Sequence, residues 1–171
     1  MEFIKTHKLT LSLIFVAALS RMLPHPPNVT PIAAMALLGG AFLETGAAFV
    51  FPLAALLLSD LFLGLHSTMV FVYAGFVLTT FLGMQLRADR GAGRVAAFAL
   101  AGSVAFFLIT NFGVWLTAGL YPRDAAGLGA CFTAALPFFR NSLAGDLFFT
   151  AVLFGLEHLS ARRPLMSPLP S

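Results

Sequence analysis

The chain has 171 residues, of which 59% are hydrophobic and 10% charged, and its mean hydropathy is +0.92. Soluble domains carry about a quarter charged residues, so this composition excludes that class; it leaves an integral membrane protein with room for about six spans of roughly 20 residues. The net charge is +3, but the Lys and Arg side chains are scattered over loops instead of forming a stripe, which argues for membrane orientation over nucleic acid.

Lys5 and Lys8 precede an apolar run from Leu9 to Leu23, which reads as a short first span or as a signal peptide ending near Ala18-Leu19-Ser20. The polar stretch that follows needs an anchored start, which favours a retained span. Pro24, Pro26 and Pro27 cannot continue a helix, so they hold Arg21, His25 and Asn28 semi-rigidly at its end. Thr30 is the expected N-cap, and Pro31 the first residue, of a second helix from Pro31 to Leu43. This helix is short for a span, and Ala36, Gly39 and Gly40 give it a smooth face suited to close packing.

A third helix is predicted from about Ala47 to Leu63, with Pro52 one turn in and Asp60 near its far end. A tight turn through Gly64, His66 and Thr68 leads to a fourth, from about Met69 to Leu86, which carries Tyr73. Arg87, Asp89, Arg90 and Arg94 mark a polar loop. The fifth helix, about Val95 to Ala118, carries Asn111 and Trp115. The longest loop, Gly119 to Leu136, holds Tyr121, Arg123, Asp124 and Cys131; the sixth helix, about Pro137 to Leu156, holds Arg140, Asn141 and Asp146. The expectation is one all-α transmembrane bundle over residues 1–163, followed by a disordered tail over 164–171. No internal repeat is visible, which disfavours an inverted-repeat transporter.

With the N-terminus and C-terminus both cytoplasmic and six spans, Lys5, Lys8, Arg87, Arg90, Arg94, Arg162 and Arg163 lie inside, while Arg21, Arg123 and Arg140 lie outside, in accord with the positive-inside rule. The unusual polar residues then gather at the outer end: Arg21, His25, Asn28, Asp60, His66, Tyr73, Asn111, Trp115, Tyr121, Arg140, Asn141 and Asp146. Ionisable groups within spans normally face a cavity or a partner, so these residues are the candidate substrate-binding set. Arg21 and Arg140 are expected to bind anionic groups, Asn28, Asn111 and Asn141 to supply hydrogen bonds, Trp115 and Tyr121 to stack, and Asp60 and Asp146 to orient the arginines. The structural alternative is that the acidic residues merely neutralise those arginines inside the bundle.

No nucleophile elbow, His-Glu-x-x-His, Walker lysine or pair of haem-spaced histidines occurs, so neither an enzyme nor a cofactor is indicated. The single Cys131 excludes an intrachain disulfide and a Cys-pair zinc site. Two other readings stand beside solute capture: a membrane enzyme using Asp60 and His66 as acid and base, and an accessory subunit whose polar mouth is only a structural network.

The run from Arg21 to Gly40, Arg-x-Leu-Pro-His-Pro-Pro-Asn-x-Thr-Pro-Ile-Ala-Ala-x-Ala-Leu-x-Gly-Gly, is accompanied by Ser59-Asp60-Leu-x-x-Gly64-x-His66, Asn111-Phe-Gly-Val-Trp115, Tyr121-Pro122 and Leu136-Pro-Phe-Phe139. Together these motifs resemble a family of small bacterial membrane proteins described as transport proteins of unknown function. That family is similar to the S components of energy-coupling factor (ECF) vitamin transporters, which include a cobalamin branch. The resemblance implies a multi-pass, six-helix fold in the bacterial inner membrane that takes a vitamin, cobalamin or a precursor among them, from outside under its first, third and fifth loops. It also implies a transmembrane partner driven by ATPases. The chain departs from S components in its first helix, which has only Ala17 and Ala18 in place of an Ala-x-x-x-Ala docking face.

Overall fold

The computed structural model describes residues 2–20 and 28–161. They form α1 (Glu2–Thr6), α2 (Lys8–Ser20), α3 (Ile32–Phe42), α4 (Thr45–Leu63), α5 (Met69–Met84), α6 (Ala92–Thr117) and α7 (Ala125–Ala161), with no strand among the described residues. Arg21, His25 and the tail 164–171 lie outside the described residues.

The bundle is assembled around α3. A helix that is apolar on every side has no face to offer to water and must be enclosed. Every residue from Ala34 to Ala41 is buried, and α3 packs against α2, α4, α5, α6 and α7. At 11 residues it rises about 16 Å, roughly half the thickness of a hydrocarbon core. Its small residues set how close the neighbours come. A Cβ on Gly40 would meet Thr80 O at 2.2 Å, and one on Gly83 would meet Leu37 O at 2.2 Å, so α3 and α5 cross with their backbones in contact. On another side, a Cβ on Gly39 would lie 2.9 Å from Cγ of Pro52, the proline inside α4. The smooth face read from the sequence is thus internal packing.

The C-terminus of α3 ends in carbonyls that no further turn can satisfy, at the negative end of the helix dipole. Arginines from the α5–α6 loop supply the donors. Arg87 gives Nε to Gly40 O (3.0 Å), Nη2 to Leu43 O (2.7 Å) and Nη1 to Thr45 Oγ1 (3.1 Å). Arg90 gives Nη1 to Ala41 O (3.0 Å) and lies 4.5 Å from the Phe42 ring centroid. Arg94 does the same for α5, with Nη2 3.0 Å from Gln85 O.

Two local expectations are corrected. Thr30 is not an N-cap: the cap position of α3 is Pro31, and no side chain caps it. The predicted long loop from Gly119 to Leu136 is mostly helix, because α7 begins at Ala125 and runs through Pro137. Asp124 Oδ1 accepts the Gly127 N–H at 2.7 Å, an N-cap that opens an alanine-rich, helix-favouring segment. A proline there removes one hydrogen bond without ending the helix.

Three helices, α4, α6 and α7, are long and apolar enough to cross a membrane. Phe15, Val16, Leu61, Phe62, Val70 and Phe148 are exposed on the exterior, a degree of outward apolarity that soluble proteins avoid. These features suggest a membrane protein.

Candidate functional site

On α6, residues three or four apart fall on one face: Ser103, then Phe106 and Phe107, then Thr110 and Asn111. On α7 the same spacing brings together Ala135, Phe138 and Phe139, Ser142 and Asp146. These two stripes, the start of α3 and residues of α4, α5 and the turn between them enclose a cavity of about 440 Å3. Its wall is largely aromatic and aliphatic, including Ile32, Leu56, Val72 and Phe76, with Asn28, Thr30 and His66 as further polar members.

The segment before α3 reaches the cavity because α7 lets it. A Cβ on Gly145 would lie 3.2 Å from Val29 Cα, so the glycine permits the backbone of 28–30 to lie close over α7 beside Asp146. Asn28 has φ of +62°, a left-handed conformation that Asn tolerates better than most residues. His66 Nδ1 is 2.9 Å from Thr68 Oγ1, which holds the exposed ring at the wall.

Asp146 is the chemically distinctive residue. Its side chain is buried, at 8% exposure, and its Oδ2 lies 2.6 Å from Ser103 Oγ. Ser103 Oγ is also 3.0 Å from Ala99 O. With one proton to give, the hydroxyl donates to Asp146 when the carboxyl is ionised and can turn to Ala99 O when it is protonated. Among the described residues, Asp146 has no ion-pair partner. A buried carboxylate with no counter-ion is costly, and the cost is relieved by a proton or by a positive or hydrogen-donating ligand.

Of the twelve residues read from the sequence as a binding set, Asn28, His66, Asn111 and Asp146 line the cavity. Asn111 uses its amide N–H on Phe107 O, at 2.8 Å, leaving its Oδ1 to the site. Asp60 and Tyr73 form their own pair: the Tyr73 hydroxyl donates to Asp60 Oδ2 at 3.1 Å, and neither residue is on the cavity wall. Trp115 is committed elsewhere, with its indole N–H on Pro122 O at 2.8 Å and its ring against Phe112. It locks the α6–α7 turn, where Arg123 Nη2 also donates to Leu116 O at 2.9 Å. Tyr121 is half-buried and off the wall; Arg140 and Asn141 are exposed and off it as well. Arg140 therefore does not reach Asp146, and the expected orienting pair is not formed.

The sequence reading missed Thr30, Ser103, Thr110, Ser142 and the phenylalanines. Their periodic spacing on α6 and α7 was available as a signal, but a chain with 19 Phe offers many such stripes, and serine and threonine in membrane helices often bond back to their own helix, as Thr110 does to Phe106 O at 2.8 Å. Cys131 is buried, its Sγ 3.5 Å from Asn111 O. Among the described residues, no three His, Cys, Asp or Glu side chains come together as a metal site.

The model of a family of unknown function, DUF6580, matches residues 2–167, and the chain belongs to that family. No curated protein and no solved structure matches it.

Proposed function

We propose that this member of a family without an assigned activity is a solute-binding protein of the bacterial inner membrane, which captures a small cyclic organic solute of vitamin-like character for uptake. The observation that carries the reading is Asp146: a buried carboxylate, without a counter-ion among the described residues, on the wall of a preformed aromatic cavity. A solute with a positive charge or N–H donors would satisfy it, and the rings of Phe76, Phe106, Phe107, Phe138 and Phe139 suit a flat or cationic partner. Asp146 brings a carboxyl group to the described wall, so the preference is for neutral or cationic solutes over anionic ones. The volume of about 440 Å3 falls within the usual range for small-molecule sites. A complete corrinoid would need the cavity to open, so within the cobalamin expectation smaller precursors fit better.

The proposed orientation puts both termini and the arginine-bearing α5–α6 loop in the cytoplasm and the cavity towards the outer side, with six helices making the passes. The chain has no nucleotide-binding motif, so accumulation would draw on an ion gradient or on an ECF-type transmembrane subunit with its ATPases. A membrane enzyme built on Asp60 and His66 has less support, because Asp60 sits with Tyr73 off the wall that His66 lines.

The test is a thermal-shift screen of detergent-purified protein against water-soluble vitamins, their precursors and heteroaromatic amines. A true ligand at a hundredfold excess over its Kd adds about 2.7 kcal/mol. The expected result is a hit whose stabilisation Asp146→Asn cuts to about a third and Arg140→Ala leaves intact. No shift across the panel, with monodisperse and cooperatively unfolding protein, overturns the reading.

A further inference from the structure

Asp146 and Ser103 form a pair whose hydrogen bonds can be satisfied in two protonation states. Ser103 Oγ lies 2.6 Å from Asp146 Oδ2 and 3.0 Å from Ala99 O, and both side chains are buried. With Asp146 ionised, the Ser103 hydroxyl donates to the carboxylate. With Asp146 protonated, the carboxyl O–H donates to Ser103 Oγ and the Ser103 proton turns to Ala99 O. The two arrangements use the same heavy-atom positions, so a proton can come or go without repacking α6 against α7. A buried carboxylate held permanently ionised needs a cation or several donors around it; among the described residues Asp146 has one hydroxyl and no ion pair. The elements around it on the cavity wall bring hydroxyls and amides from α6 and the segment before α3, apolar side chains from α4 and α5, and His66 from the α4–α5 turn. Asp60 stays off that wall with Tyr73. His66 titrates as well, but it is exposed, with Nδ1 engaged by Thr68, so water bears the cost of its charge as it cannot for Asp146.

We propose that the empty site keeps a proton on Asp146 and that a flat heteroaromatic cation enters in exchange for it, its ring among the phenylalanines and its charge beside the carboxylate. The Ser103 hydroxyl turns from Ala99 O to Asp146 Oδ2 as the proton leaves to water. One cation enters and one proton departs, so the buried site is neutral both empty and filled, and the cost of an isolated charge inside the bundle is met in each state. The phenylalanine faces suit the cation by their negative quadrupole. The exchange rests on the solute-binding reading and adds to it a charge class, a stoichiometry and a positioning role for Ser103.

The experiment is titration calorimetry of the detergent-purified full chain across a pH series, in two buffers of different ionisation enthalpy, which counts the protons released. The probes are nicotinamide methylated on its ring nitrogen, whose positive charge is fixed, and nicotinamide itself, the same ring without that charge. Because the cation binds the ionised carboxyl, its affinity is expected to fall about tenfold per pH unit on the acid side of the midpoint and to level off above it, with about one proton released per cation on the acid side. Nicotinamide is expected to release none. Asp146→Asn should give a flat profile and no release. Ser103→Ala takes a charge-assisted donor from the carboxylate, so the midpoint should move to higher pH; a hydroxyl of purely structural role would lower the unfolding temperature and leave the midpoint in place. Proton release that survives Asp146→Asn and is lost in His66→Gln would overturn the proposal in favour of the histidine. Cation binding with a flat wild-type profile would overturn it and leave the solute-binding reading standing. Failure of both rings to bind at any pH also overturns it, and the solute-binding reading falls only if the wider vitamin panel is silent too.

Discussion

The two ends of α3 solve opposite problems. At its C-terminus, Arg87 and Arg90 give their donors to Gly40 O, Ala41 O and Leu43 O, so the charge at that end works on the backbone. At its N-terminus no side chain caps the helix, and nearby Thr30, Asn28 and Asp146 face a cavity instead. A charge count in loops is therefore not a map of binding chemistry. The loop arginines, which the positive-inside count uses for orientation, terminate helices, whereas the cavity wall carries one carboxylate and a set of hydroxyls and amides.

The largest effect should come from breaking the crossing that holds the two ends in register. Gly83→Val places a Cβ 2.2 Å from Leu37 O. An overpacking cost above ~3 kcal/mol, against a total stability of about 5–15 kcal/mol, should appear as loss of the monodisperse peak in fluorescence-detected size-exclusion chromatography. Next, Arg87→Ala removes three hydrogen bonds from the arginine end. Charge-assisted bonds contribute about 1.5–3 kcal/mol each at most, and partial exposure lowers that, so a fall of about 3 kcal/mol in unfolding free energy is expected with solute affinity unchanged. If affinity falls with stability, the two ends are not separable.

At the cavity end the signs reverse. Asp146→Asn keeps an acceptor for the Ser103 hydroxyl and so should leave stability within about 1 kcal/mol, while weakening a cationic or N–H-donating solute by about 2 kcal/mol, or roughly thirtyfold by titration calorimetry. Trp115→Phe sharpens the boundary of the site: losing the bond to Pro122 O should cost about 1 kcal/mol of stability and no affinity. Smallest of all, Arg140→Ala is expected to change neither quantity by more than about 0.5 kcal/mol, the range for exposed positions; a tenfold loss of binding would restore the arginine to the site.

The helices were legible because their signals are local. The predicted Ala47 to Leu63 and Val95 to Ala118 segments differ from α4 and α6 by only a few residues. Asp146 and Asn111 were legible for a related reason: polar groups in apolar helices are expensive wherever they point. Trp115 is expected from the sequence to stack, and the structure places its indole N–H on Pro122 O, because a turn seven residues long can fold back on its own carbonyls; no spacing rule distinguishes that from facing a ligand. The α7 start was misread because Pro137 is a strong local stop signal that the surrounding helix overrides.

Composition and spacing along the chain are enough to make it helical and apolar enough for a bilayer, and to put small residues at Gly39 and Gly40 where they permit close packing. That Gly40 meets Gly83, that Ser103 of α6 meets Asp146 of α7 across 43 positions, and that Arg140 stays off the cavity wall are visible in the packed bundle alone. Those pairings depend on how each helix is rotated about its axis, and that rotation is set by the summed packing of all its neighbours, which no single segment encodes.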